Sequence, residues 1–256
     1  VVRPVIFLSY SGQMRWRTRS GDEMSARLGE PLTNDAVAQA WRTALDPKGE
    51  WIPAVLRAAD RRLTEVRHGV PDAGGLVIAT DHETARAYAA ILRDVTGQPP
   101  VVVLSDDAGA SSRIEQFAQG EQRWLVAVRM VSEGVDVPRL SVGVYATSAA
   151  TPLYFAQAIG RFVRARRRGE TASVFLPSVP QLLALASELE RERDHAIGAP
   201  GDDDGLLDDG LLASAEREEQ ASDGLLEEFE WQALESSAEF GHVLYEGDEY
   251  GFSAFT

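Results

Sequence analysis

Two hydrophobic rhythms alternate along this chain. Residues 1–10 are apolar and β-branched, as in a strand, and the alternation in Gln13-Met14-Arg15-Trp16-Arg17-Thr18-Arg19 predicts a returning hairpin arm. A strand in the opening residues predicts that the unit's natural start lies upstream. Helical spacing follows at about 34–45, capped by Asn34 or Asp35, and at about 51–68, with Asp46-Pro47-Lys48-Gly49 as the breaker between them.

From Gly74 onward, short β-rich runs at 76–80, 101–105, 124–129, 142–146 and 173–176 alternate with helical ones at 82–95, 111–119, 152–166 and 180–194. That alternation predicts βαβ units and a mostly parallel sheet. The unbroken run Val101-Val102-Val103-Leu104 suits a strand buried on both faces. Gly198-Ala199-Pro200-Gly201 ends the compact unit, and three Asp-Gly-Leu-Leu steps starting at Asp204, Asp209 and Asp223 mark low complexity beyond it. An amphipathic helix is expected at 227–237, with Phe229, Trp231 and Leu234 on its inner side. The organisation predicted is a connector over 1–73 (strand, hairpin and two helices), an α/β domain over 74–197, and an acidic, partly disordered tail over 198–256.

Charge changes this picture only when it is divided. Of the formal −15, residues 201–256 carry 17 acidic residues and one basic, Arg217, which leaves 24 basic and 23 acidic residues in 1–200. The body is therefore close to neutral and does not repel a polyanion. Lys48 is the sole lysine, so the cations are guanidiniums, which suit bidentate phosphate contact. The absence of cysteine excludes disulfides and thiolate metal sites, and the four histidines lack ligand spacing, so no structural metal is expected. No apolar run is long enough for a membrane span and residues 1–10 lack a secretion signal's core, so a cytoplasmic location away from membrane is expected.

The sharpest chemical signal is Gln157-Ala158-Ile159-Gly160-Arg161-Phe162-Val163-Arg164, which opens behind Thr151 as cap and Pro152 at the first turn. If the helix continues, Gln157, Arg161 and Arg164 share one stripe. Gly160 then leaves room for a ligand or another backbone. Two guanidiniums side by side call for an anion, and a polyphosphate fits. A basic helix end would explain Arg166 to Arg168 but not Gln157 and Gly160. Ser132-Glu133-Gly134-Val135-Asp136-Val137-Pro138 follows a strand at the edge where open α/β sheets bind ligands.

These two runs resemble motifs VI and V of superfamily 2 helicases of the DEAD/DEAH-box type, in particular the DNA repair and restriction branch. The resemblance implies a three-layer RecA-like fold and the C-terminal motor domain of an ATP-dependent helicase or translocase. It implies Arg164 as an arginine finger with Arg161 as companion, and Gln157, Gly134 and Asp136 at the nucleotide. Thr80, ending a motif IV-like strand, Ser105 and Arg129 would contact nucleic-acid backbone. A helix cap at Thr80 or Asp81 explains the first of these equally well. Neither G-x-x-x-x-G-K-[ST] nor an acidic metal motif occurs in the chain, so ATP and Mg2+ are expected to be held mainly by an N-terminal RecA-like domain of the same protein. The partner is nucleic acid, DNA by preference. A non-catalytic binding module is the alternative. Arg15-Trp16-Arg17 reads either as a base-stacking surface or as a hairpin with its Trp tucked inward. The acidic tail reads as solvated chain or as a competitor for the basic groove.

Overall fold

The computed structural model describes residues 3–104, 109–128, 137–167, 169–197 and 231–244. The backbone forms β1 (Val5–Arg17), β2 (Glu23–Leu28), α1 (Asn34–Leu45), α2 (Trp51–Gly69), β3 (Gly74–Ala79), α3 (His82–Thr96), β4 (Val101–Val103) and α4 (Ala110–Gln119). It continues through β5 (Trp124–Val128), β6 (Leu140–Ala146), α5 (Pro152–Gly160), β7 (Ala172–Pro177), α6 (Pro180–Ile197), β8 (Gln232–Ser236) and β9 (Glu239–Leu244). One mixed, mostly parallel sheet runs β2-β1-β7-β6-β3-β5-β4, with β8 and β9 also paired to β1. β1 joins the same sheet as the later strands through its parallel register with β7, Val5 opposite Ala172.

Every residue of β3, β5, β6 and β7 is buried, as the continuous apolar runs require. Each fully buried Leu, Ile or Val there contributes roughly 1.5–3 kcal/mol of transfer free energy. Strand alternation assigns the two faces. Phe7 stacks on Phe155 of α5, 6.1 Å between ring centroids. Tyr10 and Ser173 face the other way, Ser173 accepting from Arg62 Nε of α2 at 3.1 Å. The result is the three-layer α/β architecture with a mostly parallel central sheet that the sequence predicts. Helix α2 is keyed to β5 by the Asp60 carboxylate, which accepts from Trp124 Nε1 at 2.8 Å and from Arg123 at 2.8 Å. No helix of the described residues is long and apolar enough to cross a membrane.

Three expectations are corrected. The alternation through Arg15-Trp16-Arg17 is not a returning arm: β1 continues straight to Arg17, and the return is β2. Trp16 is buried and donates to Gln39, which removes it from any base-stacking surface, while Arg15 and Arg17 pair with Glu23. At α1 the cap is Thr33, whose hydroxyl accepts from Ala36 N at 3.3 Å. In the tail, residues 232–236 are strand, not helix, because the unpaired flank of β1 offers a full ladder of backbone partners.

β8 and β9 together follow one flank of β1, from Arg17 opposite Gln232 to Phe7 opposite Leu244. Their junction crosses Gly12, where a Cβ would stand 1.6 Å from the Ser237 carbonyl oxygen, so no other residue fits there without displacing the strand. Ser236, itself buried, accepts from both Glu50 N and Trp51 N at 3.1 Å. It thereby caps α2, whose own N-cap residue Glu50 makes no side-chain cap.

Candidate functional site

Parallel strands present their carboxyl ends at one edge of the sheet. Thr80 lies there, half-buried, directly after β3. The cap of α3 is its neighbour Asp81, whose carboxylate accepts from Thr84 N at 2.8 Å in a reciprocal capping box. Ser105 and Arg129, the other two candidate backbone contacts, follow β4 and β5 but lie outside the described residues, as do Gly134 and Asp136.

The arginine-bearing run departs from the expected geometry. Thr151 caps α5 as predicted, its hydroxyl accepting from Tyr154 N at 3.3 Å, with Pro152 in the first turn. The helix then stops at Gly160 instead of continuing through residue 166, so Gln157, Arg161 and Arg164 do not share one helical stripe. Phe162 N donates to Ile159 O at 2.9 Å and Val163 N to Gly160 O at 3.3 Å, a tightened final turn. Beyond it the carbonyls are claimed from outside the helix by Arg3. Its backbone N–H donates to Val163 O at 2.7 Å, and its guanidinium to Phe162 O at 2.9 Å and Arg164 O at 2.7 Å. Phe162 drops into the core, where its ring fills the space over Gly143 that a Cβ would need, 2.5 Å away.

Along this turn Gln157 and Arg161 are half-buried and Arg164 is exposed. The Oε1 of Gln157 is buried with no hydrogen-bond partner among the described residues, an acceptor that a ligand donor would satisfy. At Gly160 no atom of the described residues lies within 4 Å of where a Cβ would stand.

Arg3 is also what brings the two motif-like runs together, for its NH2 donates to Pro138 O at 3.3 Å as well as to Arg164 O. A second buried guanidinium, Arg139, donates to the carbonyls of Phe117 at 2.7 Å, Asp72 at 2.6 Å and Gln122 at 2.6 Å, and lies 4.0 Å from the Phe117 ring centroid. Burial pulls its pKa down to about 10, opposed in part by Asp72 and Glu121. Burial likewise lowers Arg3, with Glu170 acting against it. Nothing in the sequence pattern singles out Arg3: it sits in an apolar run, and its partners lie up to 161 residues away. The carboxyl-edge position Thr80 and the arginine turn are not brought together. The turn is fastened beside the residues that lead into β1 and β6, at the opposite end of those strands. No group of three or more His, Cys, Asp or Glu side chains among the described residues is placed to hold a metal ion.

Residues 100–166, from the start of β4 to just past Arg164, match the helicase conserved C-terminal domain. Over that segment the chain is similar to helicase C-terminal domains. Among curated relatives, the uncharacterized protein Rv2917 of Mycobacterium tuberculosis is 60% identical over 251 residues, which is 98% of this chain and 41% of that protein. Uncharacterized protein ML1624 of Mycobacterium leprae is 56% identical over 251 residues, 98% of this chain and 42% of that protein. The chain thus spans about two fifths of the length of these relatives. Similar solved structures include a fragment of a putative HsdR subunit of a type I restriction enzyme from Vibrio vulnificus, at 16% identity and TM-score 0.45 over 60% of this chain and 31% of that one. Domain 2 of the DEAD-box helicase Mss116p bound to an RNA duplex matches at 15% identity and TM-score 0.43 over 57% of each chain.

Proposed function

We propose that this chain is the C-terminal motor half of a cytoplasmic, ATP-dependent helicase or translocase acting on nucleic acid, with DNA preferred over RNA. The observation that carries the reading is the run Gln157 to Arg164 inside the helicase-matched segment, with Arg164 exposed and its main chain held by a buried neighbour. In this reading an N-terminal RecA-like domain of the same protein holds ATP and Mg2+, and the metal neutralises phosphate charge there. Arg164 reaches the terminal phosphate across the cleft and stabilises the charge that develops on it, with Arg161 beside it. Gln157, whose Oε1 has no partner among the described residues, Gly134 and Asp136 line the nucleotide. Thr80, Ser105 and Arg129, on segments that follow parallel strands, hold phosphates of the nucleic-acid backbone. The preference for DNA rests on the resemblance of Ser132 to Pro138 and Gln157 to Arg164 to the repair and restriction branch.

The test is nucleic-acid-stimulated ATP turnover of the intact protein. Arg164→Ala is expected to lower it by about three orders of magnitude while ATP binding persists, the scale typical of an arginine finger. Turnover unchanged in that variant removes the finger assignment, and an intact wild-type protein that shows no nucleic-acid-stimulated turnover favours a non-catalytic binding module. Single-stranded DNA is expected to stimulate wild-type turnover more than RNA of equal length at matched salt, and the reverse order removes the DNA preference.

A further inference from the structure

Arg3 stands outside both motif-like runs, yet three consecutive carbonyls of the arginine turn end on it. Val163 O accepts from its backbone N–H at 2.7 Å; Phe162 O and Arg164 O accept from its guanidinium at 2.9 and 2.7 Å. The Val163 carbonyl belongs to the peptide group before the Arg164 α-carbon, and the Arg164 carbonyl to the one after it. Both planes that set the direction of the Arg164 side chain are therefore held by a single residue. Ser141 Oγ and Pro138 O accept from the same guanidinium at 3.2 and 3.3 Å, and Glu170 Oε2 lies 3.9 Å away.

The mounting is rigid. Ala172 N donates to Pro4 O at 2.9 Å, and β1 begins its parallel ladder with β7 at Val5, so Arg3 sits two residues before a paired strand. It is also an expensive arrangement, because a guanidinium 1% exposed is surrounded mainly by neutral acceptors. If anchoring were the only need, Phe162, already fully buried, would fasten this turn without a buried charge. A planar fork with several fixed donors adds the orientation of successive peptide groups, which an apolar contact cannot supply.

We infer that Arg3 is a positioning residue that presets the Arg164 main chain for its encounter with the nucleotide phosphate, and ties it to Pro138 at the end of the Ser132 to Pro138 run. This rests on the proposed role of Arg164. It places the organising contact for that arginine before β1, in a stretch that carries no helicase motif.

The experiment is a double-mutant cycle in the intact protein. Arg3→Lys keeps the charge and the backbone N–H, but its single ammonium lacks the planar fork. It is expected to lower nucleic-acid-stimulated kcat roughly 10- to 100-fold, the effect of a small misplacement at a reacting centre, with KM for ATP within about twofold of wild type. In an Arg164→Ala background the same change is expected to do nothing further to kcat. Losses that multiply across the two changes, or a loss confined to KM, overturn the positioning role. If Arg164→Ala leaves turnover unchanged, the finger role of Arg164 has failed. The clasp is then judged by amide hydrogen exchange at residues 161–166, which is expected to accelerate in Arg3→Lys while β5 stays protected; unchanged exchange overturns it. Should neither Arg3→Lys nor Arg3→Gln fold, the wild-type protein decides. Residues 161–166 exchanging as slowly as their strand neighbours support the clasp, and exchange at exposed-loop rates refutes it.

Discussion

The parallel half of the sheet and its antiparallel flank are held by different physics. In β3, β5, β6 and β7 every side chain is buried, so adhesion is spread over many interchangeable apolar contacts. On the flank, β9 is exposed along most of its length and attachment concentrates at a few exacting points: the missing side chain of Gly12, the Ser236 hydroxyl, and the hydrogen bond between Ser237 and Gln13. The difference teaches where each half can be broken. The core spreads its adhesion apart from close approaches such as Phe162 over Gly143, whereas the flank concentrates it at single atoms.

Three changes test that contrast. Gly12→Ala forces a Cβ against the Ser237 carbonyl, and is expected to reduce stability to denaturant by about 3 kcal/mol with faster amide exchange in residues 231–244 but not in β5. Equal acceleration in β5 would show that the two halves open together. Ser236→Ala removes the cap shared by Glu50 N and Trp51 N, and should cost about 1–2 kcal/mol, read from the same denaturation midpoint. A change within error would mean that solvent replaces the cap. Glu239→Gln, at an exposed pair with Arg27, should leave the midpoint unaltered. Arg27 holds the Glu239 carboxyl below its usual range, so any contribution is present above that range and is lost as pH falls through the lowered value. A deficit at neutral pH that closes in acid would make this ion pair a fourth anchor.

Legibility in the sequence followed the same division. The run Trp124 to Val128 announces a buried parallel strand because nothing but burial explains it, whereas Val101 and Val102, expected to be buried on both faces, are half-buried because β4 is the edge strand. Helices α1, α2 and α3 were readable from spacing and punctuation, down to Thr151 and Asp81 as caps of α5 and α3. The end of α5 was not, because propensity continues past Gly160 and the competitor for its carbonyls is a residue near the other end of the chain. The strands at 232–244 were hidden for a related reason: their pattern is polar and exposed, and only the vacant flank of β1 selects an extended conformation. At the site, spacing located Gln157, Arg161 and Arg164 but assigned them a common stripe that the tightened turn does not form.

The pairing of β1 with residues 232–244 also dictates an order of events during synthesis. One side of β1 has no partner until more than two hundred further residues have left the ribosome, since Phe7 waits for Leu244. Through that interval the nascent chain displays an unsatisfied backbone edge of the kind that recruits stray strands, and ribosome stalling or truncation before the last pairing would leave it open.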